Sequence, residues 1–385
     1  MNDIARQRMC AQHLAEPAVG VRELLARMLA MQAQEYIDAL WAVGQRVRGG
    51  TEAAVERALA VGEILRTHPM RGTHHFVARE DLRWLMALMG PVNIRRNARR
   101  ERELGLTEKT LARAVALLDR ELAGGNHLAR AEIAALLERS GISPGGQRLP
   151  HIIHRAELES VVCSGARKGK QVTFARFDER VPPGRPRARE EALADLARRY
   201  FATRGPATRK DFLWWSQLPA ADADAGMERI AGELETIVAD GRKLLRTGAP
   251  ANGEPPRALL LPPYDEYTVA YADRSAVGAV PAHVTGFPAT SRLGFNLVLD
   301  GEVVGSWTRR LEGSTAAIVL APFRRLAAQD RALLVEEARR YARFRGLEAE
   351  VLVRPALAPR GAARSSDRPA TRGGRGVARP APRRR

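Results

Sequence analysis

The sequence predicts an α+β fold: three tandem winged-helix units, then a β-rich α+β C-terminal region and a basic tail. Three observations carry that prediction. A helix–helix–helix–hairpin order is plain over residues 106–180 and again over 187–248, and a looser version of it spans 1–105. Residues 257–356 are strand-rich with one long amphipathic helix. Residues 359–385 are rich in Arg, Pro, Gly and Ala with almost nothing apolar to bury, so they are expected to be disordered.

In the first unit, Val21, Leu24, Leu25, Met28 and Leu29 recur at three- and four-residue spacing, so Val19 to Arg48 reads as mostly helical. A second helix is expected over Ile37 to Val47. Thr51 caps a third, in which Val55, Leu59 and Gly62 share a face. Met70 to Val77 reads as a strand.

The middle unit is the clearest. Helices are expected over Leu106–Leu122, Ala129–Arg139 and Gln147–Ser160, with breaks at Gly124-Gly125, Gly141 and Ser143-Pro144. In the third of these, Leu149, Ile153 and Ala156 face inward, while Arg148, His151 and Arg155 recur on the other side. Val161–Cys163 and Gln171–Phe177 read as strands around a basic turn holding Arg167, Lys168 and Lys170. In a winged helix the third helix enters the major groove and the wing touches the backbone, so these six residues are expected to contact DNA.

A Pro/Arg-rich linker over Val181–Arg189 precedes the third unit. Helices are expected over Glu190–Ala202, from Thr208 through Trp214-Trp215, and over Ala225–Leu234. A hairpin with an Asp240-Gly241 turn follows. Trp214 and Trp215 read as core of that unit rather than as a clamp for a base. Farther on, Ala258–Leu261, Tyr267–Tyr271, Phe295–Leu299, Glu302–Arg309 and Glu350–Val353 read as strands. Asp330–Phe344 reads as a helix.

With 385 residues, two to four domains are expected. Hydrophobic residues make up 45% and charged residues 28%, an ordinary globular balance. No run reaches the roughly 18 apolar residues that span a bilayer. The N-terminus lacks the pattern of a signal peptide. Cys10 and Cys163 have no metal-ligand spacing and read as reduced thiols. The expectation is a soluble, cytoplasmic, nucleoid-associated monomer. The net charge is +18, of which Arg360–Arg385, with nine Arg and one Asp, supplies +8. A basic body and a basic arm both favour phosphate through counterion release. An Arg-rich composition alone also follows from a GC-rich genome.

The standard catalytic motifs are absent: there is no Walker loop, no GxGxxG after a strand, no HExxH and no nucleophile elbow. None of the eight His pairs with a Cys or carboxylate at a metal spacing, so neither metal nor cofactor is expected. One cluster stands out, Met31-Gln32-Ala33-Gln34-Glu35-Tyr36-Ile37-Asp38. Residues two apart share a face in an extended segment but not in a helix. Gln32 and Gln34 therefore act together only if the chain leaves helical geometry. A Gln amide is no base, but its oxygen accepts and its nitrogen donates, so two of them can aim a water. The residues alone leave open that both simply lie on an exposed helix surface.

Gln32-Ala33-Gln34, then Ala39-Leu40-Trp41, then Met70-Arg71-Gly72-Thr73 with His75-Phe76-Val77 resemble the AlkZ/YcaQ-type winged-helix DNA glycosylases. Leu260–Arg274 and the Val298–Trp307 hairpin resemble the later part of the same superfamily. The likeness runs from about residue 5 to residue 353. It implies three winged helices cradling double-stranded DNA and a hairpin directed to the minor groove. It also implies a catalytic signature of Gln, an apolar residue, then Gln or Asp, which falls on Gln32, Ala33 and Gln34. Excision of an N-alkylated purine by water attack at C1′ is then expected, without a lysine nucleophile and in an open cleft that tolerates crosslinks. Glu35, Asp38, Thr73 and His75 are candidate accessory residues. Arg71 and His74 on the first wing are candidate DNA contacts. The competing reading is a non-catalytic winged-helix regulator, since many members of the superfamily are known only as DNA-binding proteins.

Overall fold

The computed structural model describes residues 1–239, 241–248, 253–278 and 294–356. The tail expected to be disordered lies outside the described residues, as does Asp240 of the expected turn. No helix among the described residues is long and apolar enough to cross a membrane.

Helix α1 (Asp3–Ala11) opens where the Asn2 side chain accepts from the Ala5 N–H. Helix α2 (Val21–Met28) buries Val21, Leu24, Leu25 and Met28, the stripe read from the sequence. It stops at Leu29, whose φ of 63° breaks helical geometry. The chain then runs extended as strand β1 (Ala30–Gln32) before α3 (Tyr36–Gly44). The expected helical run from Val19 to Arg48 is thus interrupted at the Gln pair. Thr51 caps α4 (Glu52–Ala60) as expected.

Strands β2 (Ile64–Met70) and β3 (Thr73–Ala78) form a hairpin. Met70–Val77 is therefore not one strand. Arg71 and Gly72 both take positive φ, the geometry of a tight reversing turn. The sheet order is β1-β3-β2, with Gln32 paired to His75 and Met31 to Phe76.

The sequence pattern did not reveal α5 (Arg79–Glu103), which runs 25 residues. Its first half buries apolar residues on several faces and its second half is arginine-rich, so no single stripe marks it.

Next come α6 (Glu108–Glu121), β4 (Leu128–Ala129), α7 (Arg130–Arg139), α8 (Arg148–Leu158), β5 (Val162–Ser164) and β6 (Thr173–Arg176), with sheet order β4-β6-β5. After the short α9 (Phe177–Arg180) follow α10 (Arg189–Arg204), α11 (Arg209–Ser216) and α12 (Ala220–Arg229). A reciprocal Thr208–Asp211 capping box opens α11. Helix α12 starts directly after Pro219, ahead of the expected Ala225. A 3-10 turn over Ala231–Glu233 leads from it to the hairpin β7 (Leu234–Ala239)–β8 (Arg242–Thr247).

The C-terminal region comprises β9 (Ala258–Leu261), α13 (Glu266–Val269), β10 (Asn296–Leu299), β11 (Glu302–Glu312), β12 (Thr315–Pro322), α14 (Ala328–Phe344) and β13 (Glu348–Val353). Its sheet runs β13-β12-β11-β10-β9, antiparallel except for β12–β13. The expected strand over Tyr267–Tyr271 is instead the helical turn α13. Asp265 accepts from the Tyr267 N–H there, and Tyr267 and Tyr271 are both buried. Strand β12, not foreseen, alternates buried Ala316, Ile318 and Leu320 with half-buried residues.

One core cluster joins α2, α3 and α4 to β9–β12 and α14, including Trp41, Trp307, Tyr341 and Phe344. A second joins α5 to α10–α12. A third is confined to residues 104–174.

Candidate active site

Strand β1 lies at the edge of its sheet, with β3 on one side. Its outer backbone groups meet two buried charges instead of another strand. Arg204 of α10 donates to the carbonyls of Met28 (2.8 Å) and Ala30 (2.6 Å). Glu266 of α13 accepts from the Gln32 N–H through Oε1 (3.0 Å). Its Oε2 accepts from Arg204 (2.8 Å) and from the Trp215 indole (3.1 Å). Arg204 and Glu266 are essentially unexposed. Burial pushes the Glu266 carboxyl up, but Arg204, Arg71 and the Gln32 N–H outweigh it and hold it below the usual carboxylate range. This pairing explains why α2 ends where it does. The carbonyls that a further helical turn would have used belong to Arg204.

The chain leaves helical geometry at Gln32, where β1 ends, and Gln34 follows in a bend. Gln32 is buried and Gln34 exposed. Arg71 Nη2 donates to Gln32 Oε1 at 2.7 Å. The His74 N–H donates to Gln34 Oε1 at 3.2 Å. Guanidinium and backbone N–H groups have no lone pair to offer, so each contact fixes which end of the amide is oxygen. Arg66 of β2 steadies the loop after Gln32 by donating to the carbonyls of Ala33 (2.9 Å) and Gln34 (3.2 Å).

Arg71 and His75 are not where a DNA contact or an accessory group on an exposed wing would lie. The Arg71 side chain turns inward, and its Nη1 is buried with no partner among the described residues. Burial lowers its pKa to about 10. His75 is fully buried. Its Nδ1 donates to the Thr73 carbonyl (2.9 Å), which leaves Nε2 to accept from Arg71 (2.9 Å). Burial first, and then the Arg71 charge, keep His75 neutral, with a pKa well below the usual histidine range. Register explains the inward placement: the residue opposite an inward Gln32 also points inward.

Of the other accessory candidates, Glu35 is exposed at the start of α3. Asp38 is buried and paired with Arg309 of β11; burial raises its pKa despite that partner. Thr73 is half-buried, with Oγ1 unpartnered among the described residues. His74 is half-buried, its ring against His68.

The six candidates of the middle unit fare differently. Arg155 is buried among Glu101, Glu108 and Glu159, its guanidinium binding all three. It is a structural ion-pair hub, not a DNA contact. Helix α5, not foreseen from the sequence, packs on α8 and supplies Glu101. Arg148 donates to the carbonyls of Leu104 (2.6 Å) and Ser143 (2.9 Å), and the buried Nδ1 of His151 has no partner among the described residues. Arg167 is drawn back onto Glu56 and the Lys170 carbonyl. Lys168 and Lys170 stay exposed at the turn, Lys168 near Glu132 (3.1 Å).

Three residues that build the site were missed as functional: Arg66, Arg204 and Glu266. Glu266 sits inside Pro263-Tyr264-Asp265-Glu266-Tyr267, where a charged pair flanked by aromatics is the signal that could have found it. In the third unit Trp215 is buried, whereas Trp214 is 40% exposed and donates to the Val269 carbonyl.

A family model described as DNA glycosylase AlkZ-like matches residues 25–344. A curated relative from Streptomyces sahachiroi, described as an interstrand DNA cross-link repair glycosylase, is 25% identical over 344 residues, covering 82% of this chain and 88% of its own. The solved structure of Streptomyces sahachiroi DNA glycosylase AlkZ aligns with a TM-score of 0.73 at 22% identity, over 92% of this chain and 100% of that one, a likeness of fold.

Proposed function

Because the chain belongs to the AlkZ-like DNA glycosylase family, we propose that it excises N-alkylated purines from double-stranded DNA by water attack at C1′, with Gln32 and Gln34 as the catalytic pair. A purine alkylated on a ring nitrogen is cationic and leaves without a general acid. What the enzyme supplies is a placed water and negative dipole ends near a sugar that becomes oxocarbenium-like. Each Gln oxygen already accepts one hydrogen bond from the protein, Gln32 from Arg71 and Gln34 from the His74 N–H. Each keeps a second lone pair for a hydrogen of the water, whose own lone pair is then directed at C1′. That pre-orientation is the observation that carries the proposal. Fixed dipoles of this kind need no reorganisation as charge develops. Positioning of reactants supplies up to about 7–11 kcal/mol in ideal cases.

Glu35, exposed beside the pair, is the carboxylate that lies against the developing positive charge, while Asp38 is engaged by Arg309. The product is an abasic site, since no lysine nucleophile enters the scheme. Three winged-helix units hold the duplex, and Lys168 and Lys170 meet its phosphates. The proposal extends to an interstrand crosslink as substrate, the class of lesion named for the Streptomyces relative.

The test is release of N7-methylguanine, and unhooking of a nitrogen-mustard crosslink, by the purified chain. Gln32→Ala and Gln34→Ala are expected to abolish most excision while binding DNA normally. Unchanged excision in both variants removes the pair from the reaction.

A further inference from the structure

Behind the Gln pair, on the other side of His74, lies a cluster that the reaction does not use. His68 of β2 and Glu157 of α8 are hydrogen-bonded through Nδ1 and Oε2, and Glu157 is 1% exposed. The His74 ring lies 3.6 Å from that of His68, centroid to centroid, and the His154 ring 4.4 Å on another side. One ring nitrogen each from His68 and His74 and one Glu157 oxygen all fall within 4.8 Å of one another. We propose that His68, His74 and Glu157 form a binding site for a divalent transition-metal ion of the zinc class.

Three arguments support the assignment. Glu157 is a buried carboxyl group whose direct partner is the His68 imidazole, and a carboxylate at such depth is stabilised by a cation beside it. His74 Nδ1 and His154 Nε2 are buried with no hydrogen-bond partner among the described residues. Two imidazoles and one carboxylate are a donor set that zinc accepts, with the remaining position left for water. Arg66, the cation coupled to both His74 and Glu157, is turned away toward the carbonyls of Ala33 and Gln34. On loading, the proton on His68 Nδ1 passes through solvent to Nε2 of the same ring, and the freed Nδ1 lone pair binds the ion. A hard cation such as Mg2+, which prefers oxygen ligands, does not suit the set.

The position gives the ion a role. It ties β2 and β3 of the first unit to α8 of the second. It also fixes His74, whose N–H holds Gln34 and whose carbonyl accepts from the Ala33 N–H at 2.7 Å. The ion is thus a clip beneath the site rather than a participant in it. Local spacing could not show it, because the ligands are contributed by positions 68, 74 and 157.

The experiment uses the full chain without an affinity tag. It is stripped with chelator, incubated with Zn2+ or Mg2+, desalted and analysed for metal. One equivalent of zinc per chain and no retained magnesium are expected, with the melting temperature raised by about 3 °C or more at a hundredfold excess over Kd. Glu157→Gln and His74→Leu are each expected to weaken zinc binding by more than about 100-fold, with far-UV circular dichroism reporting their folding. Should a variant fail to fold, Co2+ added to the unaltered chain decides: visible d–d bands of a low-symmetry N/O site support the assignment. No retained zinc in the wild-type chain, zinc retained equally by folded Glu157→Gln and His74→Leu, or a Co2+ spectrum of the hexaaqua ion each overturns it.

Discussion

Gln32 and His75 stand opposite each other in the β1–β3 ladder, and both accept from one nitrogen, Nη2 of Arg71. A turn residue with positive φ thereby reaches back to set the amide of a strand residue 39 positions earlier. The imidazole is the second anchor that keeps the guanidinium aimed.

Arg71→Met removes the charged donor from Gln32. Hydrogen bonds to charged groups are worth about 1.5–3 kcal/mol, so single-turnover excision is expected to fall roughly 10- to 100-fold. Affinity for duplex DNA, measured by fluorescence anisotropy, is expected to change little, because the side chain is turned inward. A loss confined to affinity would instead put Arg71 on the DNA.

Glu266→Gln breaks a buried pair and is expected to destabilise the fold by about 3–5 kcal/mol in urea titrations at pH 7. The folded-state pKa of Glu266 lies below its unfolded value of about 4.5. Its contribution is therefore fully present above pH 4.5 and is lost as pH falls below that toward the folded pKa. The gap between wild type and variant should stay constant from about pH 7 to 5.5 and narrow below about 4.5. A gap that widens in acid contradicts the assignment of charge.

Arg155→Met leaves Glu101 buried without its cation. The expected result is a lower unfolding midpoint with the salt dependence of DNA binding unchanged. A shallower salt slope with normal stability would restore Arg155 to the interface.

Lys168→Glu with Lys170→Glu acts on the two cations that remain exposed at the β5–β6 turn. Binding is expected to weaken for all duplex sequences alike. The slope of log K against log salt should become shallower by about 2, close to 0.9 for each phosphate left without its lysine. A sequence-dependent loss would point to base readout.

What the sequence disclosed depended on how local the cause was. Helices α4, α6 and α11 begin at Thr51, Thr107 and Thr208, each of whose hydroxyls accepts from a backbone N–H three residues on. Such a cap is written in adjacent residues. The extended break at Gln32 is not. It rests on Arg204, which is 174 positions from Ala30, and on Glu266, which is 234 positions from Gln32. The pattern around Arg148, His151 and Arg155 has helical spacing on either face, and only α5 decides which is covered. Tyr267–Tyr271 alternates like a strand but turns as a helix because Asp265 caps it. The Gln pair stood out in the sequence but gained its weight through family likeness, and its orientation is set by Arg71 and the His74 amide.

The core that encloses α2, α3 and α4 draws its other half from β9–β12 and α14, which begin only at Ala258. The middle cluster, by contrast, is complete within residues 104–174. Pairings so unequal in sequence span set an order of assembly, since distant ones wait for the intervening chain. On the ribosome the middle module is able to fold as it emerges, whereas the core around β1 waits for the chain as far as Phe344. A nascent or truncated chain that stops before α14 therefore has a finished middle module and an unfinished core around the Gln32 strand. In a DNA glycosylase, that order keeps incomplete copies from acting on DNA.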